Sequence, residues 1–219
     1  MKRVYLIWGG AGLAVVLVLT LGLVFLGTKP SAATSQAPVS DSPTAQDSSS
    51  NAAVQAADPA PAASSDVLSA LGLEPVQGNP ALLNFKAQTL DGKTVELADY
   101  KGKVILLNFW ATWCPPCRAE MPTIEKLYQA LKNEQNFVFL AVDAHEKPAQ
   151  VKSFIQKTGY SFPVLLDTTG EADAEYSVQA IPTTYLIDRS GHVLGGAAGG
   201  RQWDRPEVIQ AIKDLAQAR

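Results

Sequence analysis

The chain has 219 residues with 18 basic and 21 acidic side chains, net charge −3, and without a basic excess it carries no electrostatic footprint for nucleic acid. Cys114 and Cys117 are its only two cysteines. A pair separated by two residues closes too small a loop to staple distant parts of a fold, so a disulfide-rich scaffold is excluded and the pair is either chemical or incidental.

From Val4 to Gly27 there are 24 residues without a charge, mostly Leu, Val, Ile, Gly and Ala. At about 1.5 Å per residue this is enough to cross a hydrocarbon core of roughly 30 Å. We read residues 1–29 as an N-terminal transmembrane anchor with a short cytoplasmic start. The competing reading is a cleaved signal peptide with Ser31-Ala32-Ala33 as its small-residue site; length favours the anchor, since a signal-peptide core is usually about 7–15 residues. Lys2 and Arg3 precede the span and only Lys29 follows it closely, which places the N-terminus in the cytoplasm and the rest outside. The expected location is a bacterial cytoplasmic membrane, crossed once, with the C-terminal domain on the extracytoplasmic side. Residues 30–65 read as a disordered Ala/Ser/Pro-rich linker. From 31 to 65 there is no aromatic residue, Lys or Arg, so the segment cannot bury enough apolar surface to offset its ordering. As a flexible coil it reaches roughly 30–35 Å.

Residues 66–219 read as one compact α/β domain. A short helical piece between Asp66 and Leu73 ends at Gly72. Phe85–Leu90 and Thr94–Leu97 flank the turn Asp91-Gly92-Lys93 and predict a β-hairpin. Val104–Trp110 is a nearly continuous apolar run, as in a central strand covered on both faces. A helix is expected from about Pro115 to Asn133, on Ile124, Leu127, Tyr128 and Leu131, with Pro122 inside it. A second buried strand follows at Phe137–Val142, then a helix at Pro148–Lys157, the strand Val164–Leu166 and a helical piece near Glu171–Tyr176. Ile181–Asp188 reads as a strand that begins at a proline and pairs with one at His192–Gly195. Asp204 and Glu207 suggest a capping box for a terminal helix with Val208, Ile209, Ile212 and Leu215 inward. The order predicts a parallel β-α-β unit completed by a hairpin and a helix.

The chemistry lies at Trp113-Cys114-Pro115-Pro116-Cys117. A thiolate attacks a disulfide, so the attacking cysteine needs exposure and a lowered pKa. The first cysteine of a C-x-x-C at a helix start has unpaired backbone N–H groups and the positive dipole end beside it. Cys114 is the expected nucleophile and Cys117, one turn inward, the resolving thiol. Pro115 and Pro116 stiffen the loop where missing N–H groups cost little. Glu120, three residues after Cys117, is on spacing alone equally an ordinary solvent-facing glutamate.

Tryptophan before a C-x-x-C that opens a helix after a buried strand, with Ile181-Pro182-Thr183-Thr184 about 65 residues on, resembles the thioredoxin-like fold, a central mixed β-sheet flanked by helices. More narrowly, Gly102 through Pro122 and Phe162-Pro163-Val164-Leu165-Leu166-Asp167 resemble the membrane-anchored TlpA/ResA-like thiol-disulfide oxidoreductases. The resemblance implies that Glu120 is the acid/base group assisting Cys117. It takes over from the buried aspartate that thioredoxin has where Asn108 stands here. It also implies a cis peptide before Pro182, with the Ile181 backbone offered to substrate; sequence alone predicts trans, since about 5–6% of X-Pro bonds in folded proteins are cis. Trp113 reads as the apolar rim of the site, with Pro115 and Pro116, and Trp110 as core.

No metal is expected: a zinc site would need both cysteines with His145 and His192, whose 47-residue separation fits no common spacing. No cofactor is expected beyond the redox pair itself. A peroxidase needs Thr-x-x-Cys, whereas Thr112 stands two residues before Cys114. Gly195–Gly200 lacks the Lys-Ser/Thr of a phosphate loop and reads as a strand end or bulge needing glycine torsions. The resemblance implies reduction of disulfides in exported proteins, recharged by a membrane electron donor of the CcdA or DsbD type, and the single tethered domain reads as a monomeric head. Cytochrome c maturation is one such role, although Ala180-Ile181-Pro182-Thr183-Thr184 departs from the Gly-x-Pro-Glu-Thr pattern of that branch. The alternatives are a disulfide oxidase or isomerase, or a tethered binding module with an inactive site.

Overall fold

The computed structural model describes residues 63–78 and 80–218. The expected membrane span and the linker up to residue 62 lie outside the described residues. Among the described residues no helix is long and apolar enough to cross a membrane.

The elements run α1 (Ala63–Leu71), β1 (Glu74–Pro75), β2 (Lys86–Thr89), β3 (Thr94–Glu96), β4 (Val104–Trp110), α2 (Pro115–Leu131), β5 (Phe137–Ala144), α3 (Pro148–Thr158), β6 (Val164–Asp167), α4 (Glu171–Glu175), β7 (Thr183–Ile187), β8 (Val193–Ala198) and α5 (Pro206–Gln217). The strands form one sheet in the order β1-β8-β7-β4-β5-β6-β2-β3. β4, β5 and β6 are mutually parallel, joined through α2 and α3, and the remaining pairs are antiparallel. This is the mixed sheet flanked by helices that the motifs imply, and it contains the parallel β-α-β unit that the element order predicts.

Every residue of β4 is buried, because the strand is central and covered on both faces. Val104, Leu106 and Trp110 pack on one side with Val67 and Leu71 of α1, Met121, Ile124, Leu127 and Leu131 of α2, and Val208 and Ile212 of α5. Ile105, Leu107 and Phe109 face the other way, with Phe85, Leu97, Ala172 and Tyr176. Each fully buried side chain of this kind contributes about 1.5–3 kcal/mol. The period of two puts Asn108 on the α2 side of the sheet, and this single polar residue in the strand sets where the site forms.

The hairpin, α3 and the terminal helix lie where periodicity placed them, and α3 ends at Gly159 in the left-handed conformation (φ 74°). Four readings change. α1 begins at Ala63, inside the expected linker; its first turn needs no apolar residue, so composition detects the helix only from Val67 onward. β1 was not foreseen, as two exposed residues carry no pattern. α5 is capped at Arg205 rather than Asp204, because Pro206 sets its first turn, and Asp204 instead pairs with Lys126 at 2.8 Å. Finally, of the glycines from 195 to 200, Gly199 just past the end of β8 does take a left-handed torsion (φ 92°), whereas Gly195 and Gly196 serve close approach instead. A Cβ at Gly195 would lie 2.5 Å from Leu68 Cδ2 and 2.7 Å from the Glu74 carbonyl oxygen; one at Gly196 would lie 2.5 Å from the Tyr185 ring.

The Glu74 carbonyl is backbone paired to β8 and cannot swing away. Gly195→Ala is expected to destabilise the domain by about 1–3 kcal/mol, the usual cost of overpacking, read as a lower urea midpoint at unchanged slope.

Candidate active site

Cys114 is the N-cap of α2, with Pro115 and Pro116 in the first turn, and its Sγ accepts a hydrogen bond from the Cys117 N–H at 3.2 Å. The two cysteines are joined as a disulfide. Trp113 is 63% exposed and Pro115 and Pro116 are exposed, so the three form the rim expected of them, while Trp110 is buried. Cys117 is wholly buried, one turn in, and Cys114 is only 2% exposed. The open surface expected at Cys114 is thus absent in the disulfide form: part of the sulfur's surface is taken up by the bond to Cys117, and the Ile181 carbonyl oxygen stands 3.7 Å from it. A disulfide sulfur has no proton to donate across that gap; a Cys114 thiol has one.

The Ile181–Pro182 peptide is cis, and it brings Ile181 and Pro182 against the cysteines from β7. The sheet fixes this approach. β7 pairs antiparallel with β4, Thr184 standing opposite Asn108, and the Asn108 amide donates to Thr184 Oγ1 at 2.9 Å.

The same amide donates to Glu120 Oε1 at 3.0 Å. Glu120 is 3% exposed, not the solvent-facing residue its spacing equally allowed. Its other oxygen accepts from the Arg201 backbone N–H at 2.9 Å and from Trp203 Nε1–H at 3.1 Å. Burial pushes its carboxyl above the ordinary glutamate range; the three donors, and the Arg201 guanidinium, pull the other way without cancelling it. Glu120 also lines a cleft of about 390 Å³ with Pro116, Ala119, Thr123, Gly200, Arg201 and Gln202.

On the other side of the cysteines, Glu146 holds the approach to them. Its carboxylate accepts from Thr112 N at 2.5 Å and Thr112 Oγ1 at 2.6 Å, and also from Gln150. The Glu146 N–H donates to Asp143 Oδ1 at 3.2 Å. Asp143 is fully buried at the end of β5, and burial together with Glu146 raises its carboxyl to about 8.

The geometry is that of a dithiol site, and the AhpC/TSA family model matches residues 78–195, more than half of the chain. The chain belongs to the AhpC/TSA family. Among its relatives are the proteins named thiol-disulfide oxidoreductase ResA. That of Bacillus thuringiensis subsp. konkukian is 44% identical over 111 residues, 51% of this chain and 64% of the relative. That of Bacillus subtilis is 38% identical over 128 residues, 58% of this chain and 71% of the relative. The chain thus spans less than two thirds of the first of these. The crystal structure of StoA from Bacillus subtilis superposes with a TM-score of 0.51 at 28% identity, covering 63% of this chain and all of that one. A thiol:disulfide interchange protein of the thioredoxin family from Chlorobium tepidum gives 0.53 at 32%, covering 64% and 97%. The fold of this AhpC/TSA member is therefore thioredoxin-like, as its motifs imply.

Thr184, Arg201, Trp203, Asp143 and Glu146 were not found in the sequence. The one signal was Asp143, an acid closing a buried parallel strand at the end where α/β sheets place their sites. The histidines lie apart from the cysteines: His145 Nε2 is 3.4 Å from Asp173 Oδ2 and 3.9 Å from Asp167 Oδ2, and His192 Nδ1 is 3.8 Å from Asp188 Oδ2. His145, Asp167 and Asp173 are close enough together to ligate a cation. However, Asp167 Oδ2 already accepts the Asp173 N–H at 3.0 Å, so the cluster's oxygens serve the start of α4.

Asp143 binds its proton more tightly folded than unfolded, so its contribution to stability is present below about pH 4 and is lost as pH rises toward about 8. Asp143→Asn keeps the acceptor for Glu146 N–H and removes that proton. Urea unfolding at pH 5 and pH 8 is expected to show a larger loss of stability across the interval in the wild type than in Asp143→Asn.

Proposed function

We propose that the chain is an extracytoplasmic thiol-disulfide oxidoreductase that reduces disulfides in exported proteins. The observation that carries this is the Cys114–Cys117 disulfide at the N-terminus of α2, between the cis Ile181–Pro182 peptide and the buried carboxyl of Glu120. In the reduced protein the Cys114 thiolate attacks a substrate disulfide. A mixed disulfide forms and one substrate sulfur leaves as a thiolate, which takes a proton. Cys117 then gives its proton to Glu120 and attacks Cys114 Sγ; the second substrate sulfur leaves and is protonated, and the Cys114–Cys117 disulfide remains. Two electrons and two protons have passed to the substrate. Ile181 O, Pro182, Trp113, Pro115 and Pro116 form the surface on which the substrate's cysteine segment lies.

Export rests on the uncharged Val4–Gly27 and the single basic residue close after it. Outside the cytoplasm the pair needs a membrane electron donor, of the CcdA or DsbD type, to be reduced again. The apocytochrome c cysteine pair is a substrate of suitable chemistry, and the relatives named ResA and the interchange protein support a disulfide substrate rather than a small molecule.

The full-length chain, recycled by dithiothreitol, is expected to reduce insulin, and Cys114→Ser to abolish this. Glu120→Gln is expected to slow turnover about 10²-fold. No activity in the wild type, and therefore no loss in Cys114→Ser, points to a binding module. A Cys114–Cys117 potential below about −200 mV fits the reductase, and one near −120 mV an oxidase.

A further inference from the structure

Glu120 is given a proton-transfer role above, and this inference rests on that role. What sets its proton affinity is the set of groups around it. Asn108 and the Arg201 backbone N–H are two donors. Asn108 belongs to β4 and is shared with Thr184, and a backbone amide cannot be removed by substitution. The third donor, Trp203 Nε1–H, comes from a side chain whose place is determined independently of the Glu120 carboxyl.

Trp203 is 1% exposed and packs in the core with Met121, Val208 and Ile212. Its backbone N–H donates to Thr123 Oγ1 at 3.2 Å, and that hydroxyl donates to the Glu120 carbonyl oxygen at 2.7 Å. The indole is therefore pinned to α2 twice over, by packing and by Thr123, before its Nε1–H meets Oε2 at 3.1 Å. An indole N–H donates and never accepts. It satisfies a carboxylate oxygen and offers nothing to a carboxyl O–H, so it favours the charged form of Glu120.

We propose that Trp203 is a positioning residue of the site, holding Glu120 Oε2 with its indole N–H and so limiting how tightly Glu120 keeps the proton it takes from Cys117. The other groups facing Glu120 fit this assignment. β4 and β7 present the uncharged Asn108 and Thr184, and α2 presents Cys117 and Thr123. The strap from Gly199 to Arg205 brings the Arg201 guanidinium, which acts in the same direction as the indole. At the strap's far end Asp204 is paired with Lys126 at 2.8 Å.

The test follows the Glu120 carboxyl directly, by ¹³C NMR titration of the full-length chain, with its signal assigned by its loss in Glu120→Gln. Trp203→Phe is expected to raise the midpoint by about one pH unit, a tenfold gain in proton affinity for one lost charge-assisted hydrogen bond. The acid limb of the insulin-reduction profile should move with it. In the wild type the Trp203 indole ¹H–¹⁵N signal should titrate with the Glu120 midpoint and should be static in Glu120→Gln. Should Trp203→Phe fail to fold, benzothienylalanine at position 203 keeps the indole shape without the N–H and is expected to give the same shift. An unmoved midpoint in the folded variant overturns the proposal, even where Glu120→Gln is inactive and the wider reading stands. Full insulin turnover in Glu120→Gln overturns the wider reading and, with it, the positioning role, although the titration shift would persist.

Discussion

A carboxylate taken out of water must find its donors inside the protein, and the packing around α2 supplies them to Glu120. One comes from the middle of the sheet and two from the strap that follows β8. Each donor stabilises the charge that burial opposes, and burial prevails, so the carboxyl is displaced upward. That upward displacement suits the proton-transfer role proposed for Glu120. The sheet serves the same end: Asn108 ties Glu120 to Thr184 on β7, two residues after Pro182, so the acid and the cis-proline surface are held by a single amide.

The stretch from Thr112 to Glu120 is held at both ends by buried acids. Glu146 takes the N–H and the hydroxyl of Thr112, just before Trp113, and Glu120 sits one turn beyond Cys117. Between these anchors Trp113, Pro115 and Pro116 face outward around the cysteines, and Arg118 and Ala119 face outward on α2. The two acids differ in surroundings: Glu120 borders a cleft, whereas Glu146 is tied through its own N–H to Asp143, deep at the end of β5. The first is placed to exchange protons with the outside, and the second to keep the loop in place.

How much of this was readable from the sequence follows the range of the interactions. β4, α2, α3 and the β2–β3 hairpin declared themselves through periodicity and turn chemistry, which act within a few residues. Cys114, Cys117, Glu120 and Pro182 were legible because they lie within short motifs. Trp203, Arg201 and Thr184 were not, since each earns its place through a partner about 80 residues away, and spacing along the chain carries no trace of that. The misread start of α5 has a local cause, two competing start signals of which the proline prevailed. The glycines of β8 were misread because their reason is a neighbouring backbone and ring, not their own torsions.

The attachment of α1 has a consequence for the order in which the domain is built. The carbonyl ends of this helix are taken by side chains from the far end of the chain: Arg201 Nε donates to Gly72 O at 3.1 Å across 129 residues, and Arg205 Nη2 to Ala70 O at 2.5 Å across 135. During synthesis from the N-terminus, the strands from β2 to β8 have all been made before either arginine is added. The first helix of the domain to be synthesised thus cannot gain these two bonds until the end of the chain is made, and they come from the same strap that carries two of the three donors to Glu120. Fastening α1 to the domain and bringing the last two donors to Glu120 therefore draw on one short segment.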